Sequence, residues 1–192
     1  MASKRIRLHV LCEDDLHHRF VEEVARRAGF DRRLLTFYPA PRAKGSASKF
    51  VLDNFVAMVR QWRRESHDLN VKLLVVVDGD QYGVERRRRE LAALVQAAGL
   101  SPIAFDGVAV VVPTWHIETW IAWLCGHRPV DEETRYKDDD PAGRDVGRRI
   151  KSGEYSVKRA IAGWLPAAAG EGEAVPSLSR ARGDLRRIGV SA

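Results

Sequence analysis

Along the first two-thirds of the chain the hydrophobic period switches repeatedly between two and about 3.6 residues. Ile6-Arg7-Leu8-His9-Val10-Leu11 alternates and predicts a short strand that runs out into Cys12-Glu13-Asp14-Asp15. Over residues 16–28, Phe20, Val21, Val24 and Ala28 recur at intervals of three and four, which is helical spacing. Asp14 or Asp15 is placed to cap that helix or to serve as a spare metal ligand, the cap being the favoured role for Asp15, and Gly29 to close it. Residues 34–38 predict a second strand, cut off by Pro39 and Pro41. A helix with Phe50, Phe55, Met58, Val59 and Trp62 as its apolar stripe follows.

Residues 71–77 are the most apolar strand in the chain, as expected of a central strand covered by helices on both faces. That strand stops at Asp78-Gly79-Asp80. A helix over 84–98 closing at Gly99 and a Val-rich strand over 108–112 ending at Pro113 come next. Strands alternating with helices predict an α/β fold with a mainly parallel sheet of about four strands. Right-handed crossovers then bring every strand's C-terminal end to one edge, where open α/β sheets place ligands. The acidic clusters gather at that edge. Beyond Arg128 the character changes, which divides the chain into an α/β domain, 1–128, and a basic, mainly helical C-terminal extension, 129–192, packed on it. Within the extension Asp138-Asp139-Asp140-Pro141 reads as a turn and 170–176 as a flexible connection.

Composition adds modest constraints. The 192 residues suffice for one self-supporting core. Lys plus Arg exceed Asp plus Glu by 32 to 26, giving +6. A basic surface favours polyanions, and a solvated surface accounts for the excess equally well. Cys12 and Cys125 have no CxxC spacing and are expected to be reduced. No apolar run approaches the roughly 18 residues needed to span a bilayer. The N-terminus has no secretory pattern, so the cytoplasm is the expected compartment. GxxxxGK[ST], GxSxG, HExxH and a GxGxxG after the first strand are all absent, and any ATPase partner would be a separate chain.

Two carboxylates one residue apart after a buried strand can face the same notch and suit Mg²⁺ or Mn²⁺. Asp78 and Asp80 have that spacing, Gly79 lets the chain turn between them, and the fold would bring Glu13 alongside. Asp78 and Asp80 are thus expected to be metal ligands, and Glu13 a ligand or general base. Two such ions would activate a water and stabilise a leaving oxygen. Glu118, in Pro113-Thr114-Trp115-His116-Ile117-Glu118, is the fourth metal and catalytic candidate, with a helix-dipole role as its rival. His116 ranks below the carboxylates, and Trp115, Trp120 and Trp123 read as packing residues. His17 and His18 point about 100° apart on a helix and cannot both face one ion, so they read as structural or as supports for ligands. Of Arg86-Arg87-Arg88-Arg89, only some can face a ligand. Lys137, Arg144, Arg148, Arg149, Lys151 and Lys158 make the early extension basic, with Lys151 or Lys158 a possible substrate clamp.

Glu13 in Leu11-Cys12-Glu13-Asp14 and the pair in Val75-Val76-Val77-Asp78-Gly79-Asp80 make the chain resemble the Toprim superfamily, whose pattern is a Glu after the first strand and an Asp-x-Asp after a later one. The resemblance covers about two-thirds of the chain and looks closest to small Toprim-like proteins and overcoming-lysogenization-defect nucleases of bacterial anti-phage defence. It departs in one place, since Cys12 and Asp14 flank the Glu where a Gly is usual. The resemblance implies a Toprim-like three-layer sandwich and a nuclease or related phosphodiester-processing enzyme acting on DNA or RNA with Mg²⁺ or Mn²⁺. The alternative is a non-catalytic Toprim-like subunit that binds nucleic acid or a partner protein in a larger complex. An Asp-x-Asp phosphatase fits worse, because that motif would normally follow the first strand.

Overall fold

The computed structural model describes residues 6–39, 47–67, 70–102, 107–136, 141–164 and 175–190. Four strands, β1 (Arg7–Cys12), β2 (Leu35–Pro39), β3 (Val71–Val76) and β4 (Val108–Val111), form an all-parallel sheet in the order β2-β1-β3-β4. The long apolar run at 71–77 supplies β3, a central strand, and its neighbour β1 is buried from Leu8 to Cys12, as expected of strands covered by helices on both faces. Successive residues divide cleanly between the faces. Leu74 and Val76 pack with Leu8, Val10 and Cys12 in one core, while Leu73, Val75 and Val77 pack with Leu11 in the other.

Helices α2 (Ala47–Glu65) and α3 (Gly83–Ala97) cover the second face. The stripe of α2 is Val51, Phe55, Met58, Val59 and Trp62, with Phe50 at its margin rather than in it. The Trp62 indole N–H donates to the Val71 carbonyl at 3.1 Å, tying the helix to the start of β3.

Helix α1 (Asp15–Arg27) lies on the first face. Its cap is Asp14, not the expected Asp15. Asp14 keeps an extended backbone, φ −150°, and its carboxylate accepts from the N–H groups of Leu16 and His17 at 2.8 and 3.0 Å. Asp15 is already helical and serves only as a first-turn charge. Gly29, at φ +82°, ends the helix as expected.

The rest of that face is built by α4 (Ile117–Leu124), α5 (Pro141–Lys151), α6 (Val157–Trp164) and α7 (Pro176–Arg187). Tyr155, Ile161, Trp164, Leu178, Leu185 and Ile188 share one hydrophobic cluster with Leu8, Val10, Phe20 and Leu74. The extension therefore supplies part of the core, each such side chain contributing about 1.5–3 kcal/mol by burial. Helix α7 also packs along the edge strand β4. There Arg88 donates to the Val110 carbonyl at 2.7 Å and to the buried carboxylate of Asp184 at 2.6 Å. Pro141, read as part of a turn, instead opens α5, where a missing N–H costs nothing. Residues 137–140 and 165–174, including Lys137, lie outside the described residues. Both cysteines are free and buried, and among the described residues no helix is long and apolar enough to cross a membrane.

Candidate metal centre

Register brings the acidic segments together. Cys12 pairs with Val76 and Val76 with Val111, so the residues just past the three strands emerge side by side. The ladder continues beyond β3. Val77 N–H donates to the Val111 carbonyl at 3.2 Å, Gly79 N–H to Pro113 at 2.8 Å, and Asp80 N–H to Trp115 at 3.2 Å. Gly79 is obligatory there, since a Cβ would stand 2.3 Å from the Thr114 carbonyl oxygen and 2.9 Å from that of Pro113. Asp80 takes a left-handed backbone, φ +48°, a conformation that Asp tolerates better than most side chains.

The Glu13 carboxylate, at the end of β1, accepts from the backbone N–H of Asp78 at 2.8 Å. Burial, and then the neighbouring Asp78 charge, push the Glu13 carboxyl up to about 8. Asp78 is 5% exposed, and each of its carboxylate oxygens meets an imidazole: Oδ1 lies 3.0 Å from His17 Nε2 and Oδ2 lies 3.1 Å from His116 Nδ1. Burial alone would raise Asp78. The two imidazoles outweigh it and hold the carboxyl below its ordinary range.

His17 Nδ1 in turn sits 2.8 Å from Asp14 Oδ1. With a carboxylate at each ring nitrogen, both nitrogens donate and His17 is an imidazolium. Burial opposes that charge, but Asp78 and Asp14 raise the pKa of His17 well above the usual value. Burial likewise works against ionisation of Asp14, and the His17 hydrogen bond and charge prevail, holding its carboxyl well below the usual range.

On the far side of the loop, buried Arg87 of α3 donates to the Asp78 carbonyl at 3.0 Å, to Asp80 Oδ2 at 3.3 Å and to Glu90 at 2.7 Å. Arg135 Nε approaches His116 Nε2 at 3.4 Å as a donor. His116 Nδ1 therefore carries the ring proton and presents it to Asp78.

Asp78, Asp80 and His116 place one potential ligand atom each within 4.8 Å of one another and could hold a metal ion. The donor set of two carboxylates and an imidazole is chemically suited to a divalent cation. Of the four carboxylates expected as ligands, Asp78 and Asp80 are in this group and Glu13 and Glu118 are outside it. Glu13 is bonded to the Asp78 backbone instead. Glu118, half-buried in the first turn of α4, is near enough that burial and then the Asp78 charge raise its pKa.

His116 thus stands closer to the centre than its sequence rank suggested. A His three residues past the Pro that ends β4 was the available signal. His17 and His18 diverge as expected: His17 turns to Asp78, and His18 packs on the Phe37 ring at 4.0 Å. Trp120 is core, with its N–H on the Ser177 hydroxyl at 2.8 Å, and Trp123 is covered by the Arg128 guanidinium. Lys151 lines a shallow concavity with Arg144 and Arg148, and Lys158 a groove with Arg19 and Arg26 of α1.

Against models of protein families, curated proteins and solved structures, the chain has no match. The residues themselves carry the functional reading.

Proposed function

We propose that this chain is a Toprim-like, divalent-metal-dependent enzyme that processes phosphodiester bonds in DNA or RNA. The observation that carries the reading is the convergence of residues from the ends of three parallel strands: Glu13 hydrogen-bonded to the Asp78 backbone, with Asp80 and His116 beside Asp78. A bound divalent ion would supply Lewis acidity for a phosphoryl oxygen and acidify a water. Asp78, Asp80 and His116 would hold it, and Glu13, its carboxyl pushed up to about 8, is the nearby group able to take up or release a proton near neutrality, with Glu118, also raised by burial, beside it. Mg²⁺ and Mn²⁺ both suit the carboxylates. The imidazole favours Mn²⁺, because Mg²⁺ prefers an all-oxygen shell. Ligation through His116 Nδ1 requires that its proton leave Asp78 and that Arg135 withdraw from Nε2. An anti-phage role follows from the resemblance alone.

One observation favours the second reading, a non-catalytic Toprim-like subunit that binds nucleic acid or a separate ATPase or other protein. Both oxygens of Asp78 are engaged by imidazoles, a self-satisfied arrangement that also serves a purely structural edge. The deciding experiment is cleavage of labelled DNA and RNA panels with Mg²⁺, Mn²⁺ or EDTA, with a folded Asp78→Asn/Asp80→Asn variant as control. Metal-dependent cutting lost in the variant supports the enzyme. Metal binding without cutting under any condition supports the subunit.

A further inference from the structure

Tyr82 is the exposed large hydrophobic side chain among the described residues, at 42%. It closes the short 3-10 turn Asp80–Tyr82, so a single residue, Gln81, separates it from a candidate ligand. That turn is pinned: Tyr82 N–H and Gly83 N–H both donate to the Gly79 carbonyl at 3.0 Å, and Gly79 is itself locked against Pro113. The backbone that carries the ring is therefore held in a fixed relation to Asp78 and Asp80. One helical turn on, the Arg86 guanidinium carbon lies 4.3 Å from the centre of the Tyr82 ring. Arg86 and Arg89 are the exposed members of the arginine run, Arg87 being buried and Arg88 bound to Asp184.

Resting on the nucleic-acid reading above, we infer that Tyr82 and Arg86 form a stacking platform for an unpaired nucleobase beside the phosphodiester that the metal centre addresses. An exposed tyrosine ring stacked with a guanidinium offers a nucleobase a π surface and its flanking phosphate a positive charge. In a duplex both faces of each base are already stacked on neighbours, so the platform selects single-stranded or frayed nucleic acid. It selects little by base identity, because every base has a π face. Tyr82 acts as a positioning residue for the substrate.

The test is binding of end-labelled oligonucleotides by fluorescence anisotropy in EDTA, where no metal-dependent cleavage intervenes, with a single strand and a duplex of one sequence. Wild-type protein should bind the single strand more tightly. Tyr82→Ala should weaken single-strand binding about tenfold, within the range set by loss of one base–aromatic stack. Duplex binding should be unchanged, and Tyr82→Phe and Tyr82→Trp should restore the wild-type value. An abasic position moved along the strand should reproduce the loss at one place only. Unaltered single-strand binding by Tyr82→Ala, or an equal loss on both substrates, overturns the platform alone. No binding of either substrate by the wild type overturns the nucleic-acid reading and the platform with it.

Discussion

His17 Nε2 lies 3.0 Å from Asp78 Oδ1, and both groups are buried. This contact spans the sheet edge from α1 to the end of β3 and gives a buried carboxylate its principal countercharge. The Asp14 cap completes it from below, so one aspartate both starts the helix and fixes the imidazolium that faces the centre.

Removal of His17 should therefore cost far more than its volume. His17→Ala leaves Asp78 buried with a lost partner, and unfolding in urea should show a destabilisation of about 3–5 kcal/mol. A change below about 1 kcal/mol would mean that Asp78 is protonated in the fold and needs no countercharge.

His116→Ala should reduce Mn²⁺ affinity by roughly 10- to 100-fold by calorimetry, the penalty expected whether the ring ligates the ion or only orients Asp78. The ions separate the two roles. A much larger loss for Mn²⁺ than for Mg²⁺ identifies a ligand, and equal losses identify an orienting contact.

Two glycine substitutions should behave differently. Gly79→Ala drives a Cβ into two backbone carbonyls, which cannot swing aside as a side chain would. It should destabilise by at least about 1–3 kcal/mol and abolish metal binding. Gly29→Ala meets open space and pays only for its positive φ, about 1–2 kcal/mol, with metal affinity unchanged. Thermal unfolding with and without Mn²⁺ distinguishes the two.

Acid stability should show a contribution from Glu23. Hydrogen bonds from Arg26 first, and then from Arg27, lower its carboxyl to about 2 from an ordinary 4.5. The folded state thus holds fewer protons than the unfolded one in this window, so the contribution is present above pH 4.5 and disappears as pH falls to about 2. Glu23→Gln should lower the urea midpoint at neutral pH, and the two proteins should converge toward pH 2. A constant difference across the range would count against the ion pairs.

Much of the architecture was legible along the chain because the signals are local. A helical or alternating period, an apolar run ended by Asp-Gly-Asp, and glycines at helix ends each depend on residues within a few positions. Where local preference was balanced the structure differed. Asp14 took the cap expected at Asp15, and extended backbone at Asp14 also lets its carboxylate reach His17. Phe50 yielded the stripe of α2 to Val51 by a single residue of helical phase.

The sequence by itself determined the alternation of strands and helices, the burial of the central strands and the arrival of Glu13, Asp78 and Asp80 at one sheet edge, since chain direction and crossover handedness follow from covalent geometry. Only the tertiary structure decided the partners at that edge. His17 and His116 reach Asp78 across 61 and 38 residues of chain, and Arg87 rather than its three neighbours turns inward to the loop. Such choices depend on strand register and helix rotation to within a fraction of a turn. Both are set by how the two cores pack against the sheet, which no local stretch of residues encodes.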